Sequence, residues 1–152
     1  MNYSIPKDIF VKAAKEYGTP LWIYNRETIE ERVKETKVFD VVRYAQKACS
    51  NLSVLALMKR LGVVVDAVSA GEIVRALKAG YKGGIEKGKA PEIVYTADIF
   101  DADALELVKQ HKIPVNIGSP DMIEQLAAAG IRTDLTLRVN PGFVHGHSSK
   151  VN

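Results

Sequence analysis

The chain has 152 residues, with 21 Lys and Arg against 18 Asp and Glu, and a single cysteine. With 47% hydrophobic and 26% charged residues, and a mean hydropathy of −0.05, it can build one core and is not a wholly disordered chain. One cysteine excludes an internal disulfide framework and a Cys-only zinc site, and a net charge of +3 is too small and too interspersed with acids to imply nucleic acid. No apolar run approaches the ~20 residues needed to cross a bilayer. The N-terminus MNYSIPKDIF lacks the basic-then-apolar layout of a signal peptide, so a cytoplasmic protein away from the membrane is expected.

Residues 1–19 open with a polar lead and a short amphipathic stretch, Ile9, Phe10, Ala13 and Ala14. A turn signal follows at Tyr17-Gly18-Thr19-Pro20. Leu21 to Tyr24, rich in aromatic and branched residues, reads as a β-strand. Asn25 then caps a helix from Arg26 to about Lys37, with Ile29 and Val33 on one face.

From there one unit repeats, an apolar strand followed by a capped amphipathic helix. The strands are Val41 to Ala48, Val63 to Val68, Ile93 to Thr96, Pro114 to Ile117 and Leu135 to Asn140. Asn51 caps a helix carrying Leu52, Leu55, Met58 and Leu61. Ser69 and Glu72 have capping-box spacing at the next helix, which ends at Gly80. Asp98 or Asp101 caps a third, carrying Leu105 and Val108. Ser119 caps a fourth, with Pro120 at its first position. A spacing of about 20–30 residues between strand starts suits strand plus crossover helix.

The fold class is therefore α/β, and near-continuous apolar strands suggest helices on both faces of a parallel sheet. Two architectures accommodate five units. A five-stranded doubly wound sheet would be complete at this length. A (β/α)8 barrel, at about 250 residues, would not. Pro141 to Asn152 follows the fifth strand with no closing helix, so the chain reads as stopping within a motif.

Function in either architecture gathers where strands end at their C-terminal edge. Lys47, Asp66, Asp98 and Arg138 all fall there. Alternation places Arg43, Ala45 and Lys47 on one face. A lysine ending a buried strand needs a partner or a task. It is either paired with Asp66 or an amine made available for Schiff-base chemistry. Ser69 and Glu72 read as a helix cap, and Cys49 as a small buried residue rather than a nucleophile. His145 and His147 lack further ligands and read as part of a mobile rim loop, not a metal site. The loop Gly83-Gly84 to Gly88 has no phosphate-loop order, and no Ser-His-Asp set is legible.

Tyr44-Ala45-Gln46-Lys47-Ala48-Cys49-Ser50-Asn51 resembles the cofactor-lysine motif of the barrel-type, pyridoxal-phosphate-dependent amino-acid decarboxylases. Val65 to Ile73, Leu137 to Gly142 and Tyr17 to Tyr24 resemble further segments of that family, in order and spacing. The resemblance implies a partial (β/α)8 TIM barrel of the alanine racemase and decarboxylase type. It implies pyridoxal 5'-phosphate as cofactor, Lys47 as its Schiff-base lysine, and Asp66 and Arg138 as residues lining its pocket. With His145 to Ser148, it points to an amino-acid substrate, meso-diaminopimelate, and to L-lysine and carbon dioxide as products. Residues 1–24 would pair with a C-terminal β-domain, and residues 25–152 would form an incomplete cofactor-binding barrel. A homodimer is implied for the full-length form, and the 152 residues alone would bind cofactor poorly and show no turnover. Ornithine or arginine decarboxylases and alanine racemases would share the lysine motif. From another class, a flavodoxin-like, non-catalytic binding module remains.

Overall fold

The computed structural model describes residues 5–139, so the segment 140–152 with His145 and His147 lies outside the described residues. The chain divides into two compact units, meeting at Asp40 and Val41.

In the first unit, α1 (Lys7–Tyr17) is followed by α2 (Arg26–Glu35). Asn25 caps α2 as its sequence predicts, its Oδ1 accepting from the Thr28 N–H at 2.8 Å. Val33 is the residue that α2 buries. Leu21 to Tyr24 form no strand. A strand exists only through a ladder with a partner, and the described residues pair none with this segment.

The second unit is built from five β-strands, β1 (Arg43–Ala45), β2 (Val64–Ala67), β3 (Ile93–Ala97), β4 (Val115–Ile117) and β5 (Leu135–Leu137). Four helices alternate with them, α3 (Leu52–Arg60), α4 (Ala70–Lys78), α5 (Ala102–His111) and α6 (Pro120–Ala128). All pairings are parallel, and the spatial order is β1-β2-β3-β4-β5. This order decides between the two architectures. A doubly wound sheet reverses direction at a switch point and so places its strands out of sequence. A strictly sequential parallel order, with right-handed crossovers, winds one way and puts every helix on the same face. That is the arrangement of a barrel segment.

Burial follows. The expectation of helices on both faces does not hold, because strand burial alternates residue by residue. Val65 and Ala67, Ile93 and Tyr95, and Val115 and Ile117 are buried under the helices, with Leu55, Ile73, Ala104, Val108 and Met122. Their neighbours Asp66, Thr96 and Asn116 turn to the opposite face. Leu52, read as part of the apolar stripe of α3, points outward at 45% exposure, and the stripe instead runs through Val54, Leu55 and Leu57.

The helix starts are set by side-chain caps. Asn51 accepts from Ser53 N–H at 2.9 Å and Asp101 from Ala104 N–H at 2.7 Å. Ser69 accepts from Glu72 N–H at 3.3 Å, while the Glu72 carboxylate reaches back to Val68 N–H at 2.8 Å. Of the two candidates for α5, Asp101 is the cap, which frees Asp98 for the rim. Ser119 occupies the cap position of α6 but makes no capping bond there, and its hydroxyl donates to the Asp98 carbonyl at 3.3 Å.

Below the sheet, at the N-terminal ends of the strands, Tyr81 ties three segments together. Its hydroxyl lies 3.0 Å from the Val63 carbonyl and 3.2 Å from that of Leu55. Lys59 sits 4.9 Å above its ring and pairs with Glu92 at 2.6 Å. Burial, then the Glu92 charge, raises the Tyr81 pKa, so the hydroxyl stays a donor. A Tyr81→Phe variant keeps the ring and loses the bond, so it should lose about 1–3 kcal/mol. A lower urea midpoint at unchanged slope would show it.

Candidate active site

The face of the sheet opposite its helices is polar. Arg43 on β1, Asp66 on β2, Thr96 on β3, Asn116 on β4 and Thr136 on β5 line one cleft of about 530 Å³, together with Ala45, Val94 and Asp134. Each strand thus contributes one polar side chain at its inward position. Barrel interiors are ordinarily packed with branched apolar residues. A polar lining at this place is the chemistry of a site rather than of a core.

Asp66 is the centre of the lining. The Thr96 hydroxyl donates to its Oδ1 at 2.6 Å. Partial burial raises its pKa, while that hydrogen bond and the charges of Arg43 and Lys47 oppose the rise. Arg43 is likewise shifted mainly by burial, which lowers its pKa against the pull of Asp66. The Arg43 fork is occupied by backbone, donating to the Val65 carbonyl at 2.8 Å and the Pro91 carbonyl at 3.1 Å. Asn116 accepts from the Thr136 hydroxyl at 3.2 Å.

Lys47 stands just above this lining, on a different element from the one its sequence predicts. The first strand stops at Ala45, and Gln46–Ala48 form a 3₁₀ turn. The lysine is therefore exposed rather than enclosed by a strand. Tyr44 steadies the turn, its hydroxyl donating to the Cys49 carbonyl at 2.9 Å. Cys49 itself is half-buried rather than fully enclosed. Lys47 lies near enough to Asp66 to act on its ionisation, but makes no ion pair with it within 4.0 Å among the described residues. Gln46 before it is 1% exposed, and neither of its amide atoms has a hydrogen-bond partner among the described residues.

Arg138 follows β5 on the same rim, its N–H donating to the Ile117 carbonyl at 2.8 Å. Its guanidinium pairs with Asp98, beyond β3, at 3.5 Å. Both groups are more than half exposed, so the pair orients more than it stabilises. The segment after Asp98 is anchored by Tyr95. Tyr95 stacks on Phe100 at 5.1 Å and donates to the Ile99 carbonyl at 3.0 Å, with its own pKa pushed up to about 12 chiefly by burial. Gly118 lets the carboxylate approach, since a Cβ there would lie 1.9 Å from Asp98 Oδ1.

The structure brings Lys47 and Asp66 within electrostatic reach and joins Arg138 to Asp98. Reading by sequence missed Thr96, Asn116 and Thr136 as lining residues. A signal existed: each is the polar residue between two apolar ones, as in Tyr95-Thr96-Ala97, Val115-Asn116-Ile117 and Leu135-Thr136-Leu137.

Residues 26–152 match the family described as pyridoxal-dependent decarboxylase, pyridoxal binding domain. The chain belongs to this family. It is 52% identical over 140 residues to the diaminopimelate decarboxylase of Streptomyces coelicolor, covering 92% of this chain and 31% of that protein. It is 50% identical over 137 residues to the diaminopimelate decarboxylase of Escherichia coli K12, covering 90% of this chain and 32% of that protein. A crystal structure of a diaminopimelate decarboxylase superposes with a TM-score of 0.83 at 48% identity, over 93% of this chain and 33% of the other. The chain thus spans about a third of the length of the curated relatives it matches.

The pyridoxal-binding family fits the residues present. Lys47 offers an aldehyde cofactor a primary amine that makes no ion pair among the described residues. The half-buried Asp66 carboxylate and the Arg138 guanidinium on the rim are charges of the kind that a cofactor ring and anionic oxygens would need. Among the described residues no group of three His, Cys, Asp or Glu is placed to hold a metal, and no helix is long and apolar enough to cross a membrane.

Proposed function

We propose that this chain is the cofactor-binding part of a pyridoxal-phosphate-dependent carboxy-lyase that converts meso-diaminopimelate to L-lysine and carbon dioxide. The observation that carries the reading is Lys47, an exposed amine above a polar cleft, inside a chain half identical to diaminopimelate decarboxylases. Pyridoxal phosphate, when bound, supplies an electron-withdrawing ring that accepts the electron pair left as the α-carbon loses its carboxylate.

The chain's own residues do the rest. Lys47 Nζ, once deprotonated, would be the nucleophile that holds the cofactor, and when not so engaged it could carry a proton. Asp66 lies within reach of the Lys47 charge, which helps to keep its carboxylate ionised against the effect of burial. Arg138 presents a guanidinium to an anionic oxygen at the rim, aimed by Asp98. In balance, one carbon–carboxylate bond breaks, carbon dioxide leaves, and the carbon takes up one proton. The family resemblance also supports pairing of residues 1–24 with a C-terminal β-domain, a homodimer for the complete protein, and a cytoplasmic location.

The test replaces the matching third of the Streptomyces coelicolor relative with this chain. Carbon dioxide release from meso-diaminopimelate is expected, with borohydride fixing the cofactor on the Lys47 peptide. Lys47→Ala should abolish both. A folded chimaera that releases no carbon dioxide, or label scattered over other lysines, would overturn the reading.

A further inference from the structure

We propose that Thr96 is a positioning residue, whose hydroxyl holds the Asp66 carboxylate toward the rim where Lys47 stands; the inference rests on the function proposed above. In the ladder, Asp66 is opposite Val94, so Thr96 lies two residues further toward the C-terminal edge on the same face. A hydrogen bond of 2.6 Å from that position draws the carboxylate rimward. Threonine suits the task because branching at Cβ restricts its χ1, which fixes the hydroxyl in a strand.

The other neighbours do not take this role. Arg43 pairs with Val64, two residues below Asp66, and its guanidinium is bonded to the Val65 and Pro91 carbonyls. It is a floor beneath the carboxylate, making no ion pair with it among the described residues. Lys47, on the turn after β1, acts through charge alone. Asn116, on β4, is engaged with Thr136. Asp134, before β5, is the other acid lining the cleft. Without the Thr96 hydroxyl, Asp66 keeps its burial and loses the hydrogen bond that favours its ionised form. Its titration must move up, and its orientation toward Lys47 is lost.

The experiment has two readouts. In the 152-residue chain, the Asp66 side-chain carboxyl is titrated by carbon-13 NMR. Thr96→Val should raise its midpoint, and Thr96→Ser should leave it close to that of the parent. In the chimaera described above, Thr96→Val should lower kcat on the order of tenfold with little change in KM, as expected for loss of one hydrogen bond to a charged group. Thr96→Ser should restore kcat. If Thr96→Val fails to fold, Thr96→Ala against Thr96→Ser carries the same comparison, since both are smaller than threonine. An unmoved midpoint in the hydroxyl-free variants, or a serine variant as impaired as they are, would overturn the proposal. A parent chimaera without activity counts against the function alone, and the NMR comparison then decides the role of Thr96.

Discussion

A Gly83→Ala variant should lose about 3 kcal/mol of stability, at the upper end of what overpacking typically costs. The reason is what a methyl group would meet. A Cβ on Gly83 would lie 2.2 Å from the carbonyl oxygen of His111 and 2.7 Å from its Cβ. The first is backbone at the last residue of α5, which cannot swing aside as a side chain can. The loop after α4 and the end of α5 must therefore separate. The loss would appear as a thermal midpoint several degrees lower, at roughly 2–4 °C per kcal/mol for a chain of this size. Gly118 is a useful contrast, because its nearest neighbour is a carboxylate oxygen of Asp98 that can rotate away. A midpoint unchanged in Gly83→Ala would mean that the loop is not packed on α5.

The second large effect is expected at Ile73. It is fully buried on α4 and packs in the cluster beneath β2 and β3. Ile73→Ala removes three carbons from a place where helix and sheet are both fixed, so a cavity remains. The cost is about 2–5 kcal/mol. Val74, the next residue on the same helix, is 37% exposed, and Val74→Ala should fall within about 0.5 kcal/mol of the parent. Urea unfolding of the two variants tests burial against mere apolar character. Equal losses would contradict the seating of α4.

Ile73 shows why the helical layer was legible in the sequence. Caps and apolar spacing are local signals, and Asn25, Asn51, Ser69 and Asp101 all act where the pattern places them. The five repeats were equally readable, and a resemblance in motif order supplied the barrel. Local signals failed where a longer-range contact competes. Ser119 has the right residue type at the right place, yet its hydroxyl is drawn to a carbonyl beyond the preceding strand. Strand alternation in the sequence extends to Lys47, but the 3₁₀ turn interrupts it at Gln46. The polar lining was hardest to see. A single threonine or asparagine within an apolar strand has no meaning alone. It acquires one when register sets Thr96 beside Asn116 and Asn116 beside Thr136.

The sequential order of the strands also bears on how the polypeptide emerges from the ribosome. Each strand pairs with the one made just before it. At about 5–20 residues per second, one strand-and-helix unit of about 20–30 residues takes roughly 1–6 s to synthesise. No strand must wait for a later one to be inserted between it and its neighbour, as a switch-point topology demands. The sheet can therefore grow in the order of translation, with each new strand docking on an edge that is already present.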